Sequence, residues 1–244
     1  MEQQTISKLV SMNMKGMSQA YHEDLSTGQI TGQTIDEYLA RLVDAEWDYR
    51  QDRKINNLKR AAKFRQRAHP LNIDYSIARQ LDKGVMQRLL GLGFIKRAEN
   101  IIFTGLTGTG KSYLAQAIGI SACEHAYRTM YYPMSVLSDT IAAVKLQGNY
   151  PKWIKKIQKA PLLILDDFGL TSIDSITRKA IMDIVDFRYA NHPTIIVSQI
   201  PVAEWHPLIG ESTIADAILD RLVHNAHRIE LIGESMRKQK KISR

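Results

Sequence analysis

Eight consecutive residues of this chain are suited to chemistry on a phosphate. Gly105-Leu106-Thr107-Gly108-Thr109-Gly110-Lys111-Ser112 fits the spacing G-x-x-x-x-G-K-[ST] in full. Glycines in such a run let successive main-chain N–H groups turn inward and form a concave anion nest. The run follows an apolar burst, Ile101 to Phe103, and opens a helical stretch whose positive end adds to the same point. Lys111 is then the side chain for the β- and γ-phosphates, and the Ser112 hydroxyl is a magnesium ligand. Gly105, Thr107, Gly108, Thr109, Gly110, Lys111, Ser112 and Tyr113 form the candidate nucleotide-contact set. The plain alternative is a glycine-rich turn with Lys-Ser by chance, and spacing and context together argue against it.

Magnesium on a triphosphate needs a carboxylate from a neighbouring strand. In "LLILDD" an apolar run suited to a buried central strand ends in Asp166 and Asp167. Adjacent carboxylates at such a place are costly unless a cation is near. Asp166 is expected to hold the metal, and Asp167, pointing in another direction, to polarise the attacking water; an acidic turn closing a strand is the alternative. "TIIVSQ" also ends in polar residues, so Ser198 or Gln199 could reach the γ-phosphate or the lytic water, or could simply end a strand. Arg221, in "ILDRLVHNAHR", could serve a neighbouring subunit's site as a trans-acting finger. By spacing alone it fits an exposed helix arginine even better.

The elements that must position these groups alternate. "IIFTG", "TMYYPM", "PLLILDDFG", "TIIVSQ" and "HRIELIG" read as strands, and the stretches between them as helices of ten or more residues. That rhythm means parallel strands with helical crossovers. Upstream, Ile6, Val10, Met14, Met17 and Tyr21 recur at steps of three and four, one face of a first helix. Thr34 and Glu37 form a capping box for a second, which continues through Tyr38 and Leu42. The sequence then turns basic from Arg50 to Arg67, with Asp52 its single acid, and His69-Pro70 ends the run. Arg50, Arg53, Lys54, Lys59, Arg60, Lys63, Arg65 and Arg67 lack neighbouring acids to balance a solvated face, so DNA phosphate contact is expected over that blander role. Residues 71–98 read as a connector with a short helix over "SIARQLDKGVMQRLLGL". Two domains are therefore expected: a basic, helical one at 1–70 for DNA or partner binding, and an ATPase domain at 71–244. The segment "QGNYPKWIKKIQKA", with Trp153 among lysines, fits DNA contact and internal packing equally.

Composition narrows the classes. The chain has 244 residues, 44% hydrophobic, with a net charge of +8, enough for one α/β domain and a smaller appendage. The surplus charge favours an anionic partner, most often nucleic acid. A single cysteine, Cys123, excludes an internal disulfide, and no Cys/His cluster suggests zinc. With no long apolar run and no signal-like first twenty residues, no membrane partner and a cytoplasmic location are expected.

Together, "GLTGTGKSYLAQAIG", "PLLILDDFG", "TIIVSQIPVAEWH" and "ILDRLVHNAHRIELIGESMRK" resemble the IstB family. These are helper ATPases encoded beside the transposase IstA in one class of bacterial insertion sequences, grouped with DnaC-type helicase loaders in the AAA+ superfamily. The similarity runs from about Leu71 to Lys238, and the basic stretch resembles the family's Arg-rich N-terminal helix. "SQ-x-P-x-x-x-W" is its most discriminating element. The resemblance implies an α/β P-loop NTPase fold of the AAA+ type, a three-layer sandwich with a central parallel sheet, after a small helical domain. It implies Mg²⁺-dependent ATP hydrolysis between subunits of a homo-oligomer, assembly on duplex DNA, and recruitment or stimulation of an IstA-like transposase. Ser198 and Gln199 fall at the family's first sensor, and Arg221 matches its arginine finger. Arg237 looks like the second sensor arginine and so a nucleotide contact, although an end at Arg244 implies an absent or vestigial lid. A DnaC-type helicase loader shares nearly all these residues and is the alternative, separated by a preference for single strands. A small-molecule kinase on the same loop would need an acceptor pocket and would not use Arg221 in trans.

Overall fold

The computed structural model describes residues 2–28, 32–75 and 79–236. The chain divides into two compact units, Met1–Asn57 and Leu58–Arg244. The first contains α1 (Glu2–Ser11), α2 (Lys15–Thr27) and most of α3 (Ile35–Ala62). The apolar periodicity read as one first helix is two, because Asn13 adopts a left-handed φ of 58° and turns the chain. Asparagine tolerates that conformation better than most residues. Gly16 lets α2 and α3 touch: a Cβ there would lie 2.6 Å from Tyr49 Cβ. The Thr34–Glu37 capping box forms at the start of α3, with Glu37 N donating to Thr34 Oγ1 at 3.3 Å and Thr34 N to Glu37 Oε2 at 2.8 Å.

In the second unit, α4 (Lys83–Leu90) and α5 (Gly93–Lys96) precede β1 (Asn100–Gly105). Asp82 caps α4 by accepting from Val85 N at 2.7 Å. The helix read from Ser76 therefore starts at Lys83, and residues 76–78 lie outside the described residues. There follow α6 (Lys111–Glu124), β2 (Thr129–Pro133), α7 (Met134–Leu146), α8 (Tyr150–Gln158), β3 (Leu162–Phe168), α9 (Ser175–Arg188), β4 (Thr194–Ser198), α10 (Trp205–Ile209), α11 (Ser212–Val223) and β5 (Ala226–Leu231). All pairings are parallel, in the order β2-β3-β4-β1-β5. This is the α/β architecture expected, and it brings the ends of β1, β3 and β4 to one edge of the sheet.

Both faces of the sheet are covered, so the inner strands β1, β3 and β4 are buried along most of their length, whereas the edge strand β5 alternates, with Arg228 and Glu230 exposed. Ile101, Phe103, Ile164, Ile195 and Val197 face α4, α5 and α6, whereas Ile102, Leu163, Leu165 and Ile196 face α7 to α11. The residues after α3 join the first of these cores: Ala68 is buried in it and Phe64 packs against it. Trp153 of α8 packs beside Tyr150 and Tyr132, ring centroids 5.9 and 6.4 Å away, while Lys152, Lys155 and Lys156 stay exposed. Among the described residues no helix is long and apolar enough to cross a membrane.

Arg188, at the end of α9, is 2% exposed and ties together two chain segments. It donates to the carbonyls of Ile157 (3.0 Å), Ala160 (2.7 Å) and Pro193 and to the Thr194 hydroxyl (3.0 Å), and burial pushes its pKa down to about 9. Arg188→Ala leaves these acceptors unpaired, at about 1–3 kcal/mol for a buried group so stranded. A loss of about 3 kcal/mol in urea unfolding is expected. A change below about 0.5 kcal/mol would mean the carbonyls find other partners.

Candidate active site

The phosphate loop joins the end of β1 to the start of α6, as its spacing predicts. Gly110 is the N-cap of α6 with φ 96°, a conformation that favours glycine, and a Cβ there would also lie 2.5 Å from Arg79 Nη1. Lys111 curls back over the loop and donates from Nζ to Gly105 O (2.6 Å) and Leu106 O (2.7 Å). Burial pushes its pKa down, opposed by Asp166 and Asp167. Thr109 is buried and donates from its hydroxyl to Leu106 O at 2.9 Å. The Thr107 hydroxyl donates to Gln199 Oε1, linking the loop to the end of β4.

The acid pair stands at the end of β3, where the register with β4 shifts between Leu165 and Phe168. Asp167 has φ 61°, left-handed backbone that a non-glycine residue rarely adopts. A bulge of this kind re-aims a side chain, and here it places Asp167 on the wall of the cleft beside the phosphate loop. Asp166 is 2% exposed and fully engaged. Its Oδ1 accepts from Ser112 Oγ (2.9 Å) and Asp167 N (2.9 Å), and its Oδ2 accepts from Tyr131 Oη at 2.7 Å. Burial raises the Asp167 pKa, helped by Asp166, while Arg65 and Lys111 oppose the rise.

A cleft of about 860 Å³ lies beside the loop, lined by Thr107, Gly108, Gly110, Lys111, Ser112, Tyr113, Asp167, Ser198 and Gln199 among others. The residues read as nucleotide contacts thus converge, with distinct roles at the end of β4. The Ser198 hydroxyl is committed to Phe168 O at 2.7 Å, so Gln199 is the member of that pair that touches the loop. Tyr113 Oη accepts from His69 N at 3.2 Å. Arg221 is not brought to its own cleft: it pairs with Asp186 at 2.8 Å and donates to Ala217 O at 3.0 Å. Arg237 lies outside the described residues.

The basic stretch is less uniform than its sequence. Arg53, Lys54 and Lys63 are exposed, with no carboxylate in ion-pair range among the described residues. Arg50 pairs with Glu46 (2.7 Å), Lys59 with Glu124 (2.7 Å) and Arg65 with Asp167 (3.6 Å), Arg60 is exposed, and Arg67 lines the cleft. Two site residues carried no motif. Arg79, 2% exposed, donates to Thr109 O (3.0 Å) and Asp74 O (2.7 Å), and its Nε has no hydrogen-bond partner among the described residues. Tyr131 shares a face with Asp166 because it is in register with Ile164, two residues before the acid. Its only sequence signal was a pair of adjacent tyrosines, Tyr131 and Tyr132, in a strand beside one ending in acids. The segment after β5 also returns to the loop, with Met236 N donating to Gly108 O at 2.9 Å.

The donor set suits magnesium. Among the described residues no cluster of three or more His, Cys, Asp or Glu exists. A hydroxyl and a carboxylate already within 2.9 Å of each other, beside an anion nest, match an ion that takes few protein oxygens and completes its shell with phosphate and water.

Comparison with known proteins agrees with this geometry. The family model of IstB-like ATP-binding proteins matches residues 7–244. An insertion sequence ATP-binding protein of Sinorhizobium fredii is 40% identical over 237 residues, 97% of this chain and 97% of that protein. The crystal structure of DnaI superposes with a TM-score of 0.56 at 20% identity, covering 69% of this chain and 90% of DnaI. That of the DnaC helicase loader gives 0.52 at 18%, covering 61% and 86%. At such identities the structural likeness speaks for the fold alone, a parallel sheet with a phosphate loop after β1 and helices on both faces.

Proposed function

We propose, for a chain that belongs to the family of IstB-like ATP-binding proteins, that it hydrolyses ATP between adjoining copies of itself on duplex DNA and recruits or stimulates a partner transposase. The observation that carries the reading is the convergence of Lys111, Ser112 and Asp167 on one cleft, with the buried Asp166 held against Ser112. Lys111 leaves the carbonyls of Gly105 and Leu106 for the β- and γ-phosphates, which the amides of residues 106–111 surround. Ser112 and Asp166 would hold magnesium, which supplies charge neutralisation on the phosphate oxygens. Tyr131 keeps one oxygen of Asp166 occupied, so the other faces Ser112. Asp167 accepts from the attacking water and Gln199, beside Thr107, orients it. Arg221 completes a neighbour's site, which its distance from the lining of its own cleft supports.

The exposed basic side chains of α3, among them Arg53 and Lys54, are the DNA surface, suited to sequence-tolerant phosphate contact. ATP completes the subunit interface and hydrolysis releases it, in the cytoplasm where the insertion sequence's DNA lies. A helicase loader would share the fold, and a preference for single over double strands would favour it.

ATPase rate and particle size, with and without duplex DNA, test this together. ATP with duplex is expected to give larger particles and faster turnover, and DNA affinity should fall steeply with salt. Mixing Lys111→Ala with Arg221→Ala chains should regain part of the rate that each lacks alone. A protein that stays monomeric with ATP, and whose rate ignores DNA, would sink the proposal.

A further inference from the structure

The segment that follows α3 was expected to touch DNA along its whole length, yet it lies along the phosphate-loop helix. Phe64 sits in a notch over Gly119, where a Cβ would be 2.8 Å from its ring, and its ring centroid is 6.0 Å from that of Tyr131. Gln66 N donates to the buried Gln116 Oε1 of α6 at 2.9 Å, and His69 N to Tyr113 Oη at 3.2 Å. Ala68 is buried between these ties. Lys59 holds Glu124, at the other end of α6, at 2.7 Å. Four separate anchors on one helix fix where the intervening side chains go. Gln66 and Arg67 line the cleft, and the Arg65 guanidinium stands 3.6 Å from Asp167 Oδ2.

We propose that Arg65 belongs to the nucleotide site and not to the DNA surface: it is a cis-acting arginine that pairs with Asp167 at rest and recognises the third phosphate of a bound nucleoside triphosphate. The pair has the character of something made to be exchanged. At 3.6 Å it is beyond hydrogen-bond range, and both partners are partly exposed, 50% and 34%. Such contacts are weak. A γ-phosphate carries more charge than one carboxylate and offers the guanidinium a bidentate geometry. Asp167 lines the cleft beside Lys111 and Ser112, so a group within reach of Asp167 is at the γ rather than the α end of the triphosphate. When the guanidinium moves to the phosphate, the carboxylate is released toward water. Arg221 does not reach this cleft, and although Arg67 and Arg79 line it, the arginine that pairs with Asp167 is Arg65.

The inference rests on the nucleotide-binding reading above, and binding rather than turnover tests it. Equilibrium titration of the full chain with MgATP and with MgADP, for wild type, Arg65→Ala and Arg65→Lys, reads the third phosphate directly. Arg65→Ala is expected to weaken ATP about 10-fold and ADP less than about 2-fold, with Arg65→Lys in between. The dependence of duplex affinity on salt should keep its wild-type slope. Equal ATP affinity in Arg65→Ala and wild type, with that slope reduced by about 0.9, would return Arg65 to the DNA surface. Equal weakening of ATP and ADP would reduce it to a structural role and also overturn the proposal. A wild-type chain that binds no ATP defeats the underlying reading as well, whereas one that binds ATP without hydrolysing it leaves this test intact.

Discussion

Lys111→Ala is expected to weaken ATP binding by about 30- to 3,000-fold and to remove measurable hydrolysis. Truncating one partner of a buried, hydrogen-bonded charge pair costs about 2–5 kcal/mol, and each 1.4 kcal/mol is tenfold. Lys111 is 5% exposed, so in the proposed site its ammonium would act on the phosphates with little screening from water. Its present partners are the loop's own carbonyls at 2.6 and 2.7 Å, the arrangement a cation takes when held beside an anion nest. The fold should survive, because these carbonyls lie at the edge of the sheet and not in its core. Titration with a fluorescent ATP analogue, beside thermal unfolding of the same variant, checks both halves. Binding within threefold of wild type would move the phosphate away from this loop.

Asp167→Asn has the second largest expected effect and a different signature. Asparagine keeps the size of the side chain and can adopt the left-handed backbone that Asp167 holds at φ 61°. It cannot accept a proton or polarise water as a carboxylate does, a contribution of about 10²–10⁴ in rate. Single-turnover hydrolysis should slow by at least about 100-fold while ATP affinity stays within about threefold, because the proposed phosphate grip belongs to Lys111 and the loop. A hydrolysis rate near wild type would leave Asp167 with a structural task at the bulge and the water-polarising role elsewhere.

The contrast between these residues shows what the sequence could reveal. Lys111 and Ser112 were legible because the phosphate loop is local: its glycines, lysine and hydroxyl act on one point within eight residues. The inner strands were legible for a related reason, since burial on both faces demands nearly unbroken apolar runs, while the edge strand β5 shows instead as alternation in "HRIEL". The direction of Asp167 was not, because it depends on a bulge between β3 and β4, a pairing of segments far apart in the chain. Arg79 was invisible likewise, and Tyr131 left only its place in β2 as a trace. Their importance is the distance to Asp166 Oδ2 and Thr109 O, and no spacing rule carries it.

The basic stretch was read from its missing local acids, and the structure supplies some from elsewhere. Glu124 of α6 meets Lys59 and Asp167 of β3 meets Arg65, partners 65 and 102 residues away in sequence. Trp153, balanced between packing and DNA contact by sequence, packs with two tyrosines, while its neighbouring lysines remain at the surface. The break at Asn13 escaped because the three- and four-residue spacing of apolar residues runs on across residues 12–14, which belong to neither helix.

One claim underlies all of this: a nucleoside triphosphate is held at residues 105–112 with its divalent ion answered by Ser112 and Asp166. Calorimetric titration of ATP into the wild-type chain, once with Mg²⁺ and once with the ion chelated, measures it most directly. Saturable one-to-one binding that weakens at least about tenfold on chelation is the predicted result. No saturable heat, or an affinity indifferent to the metal, would contradict it.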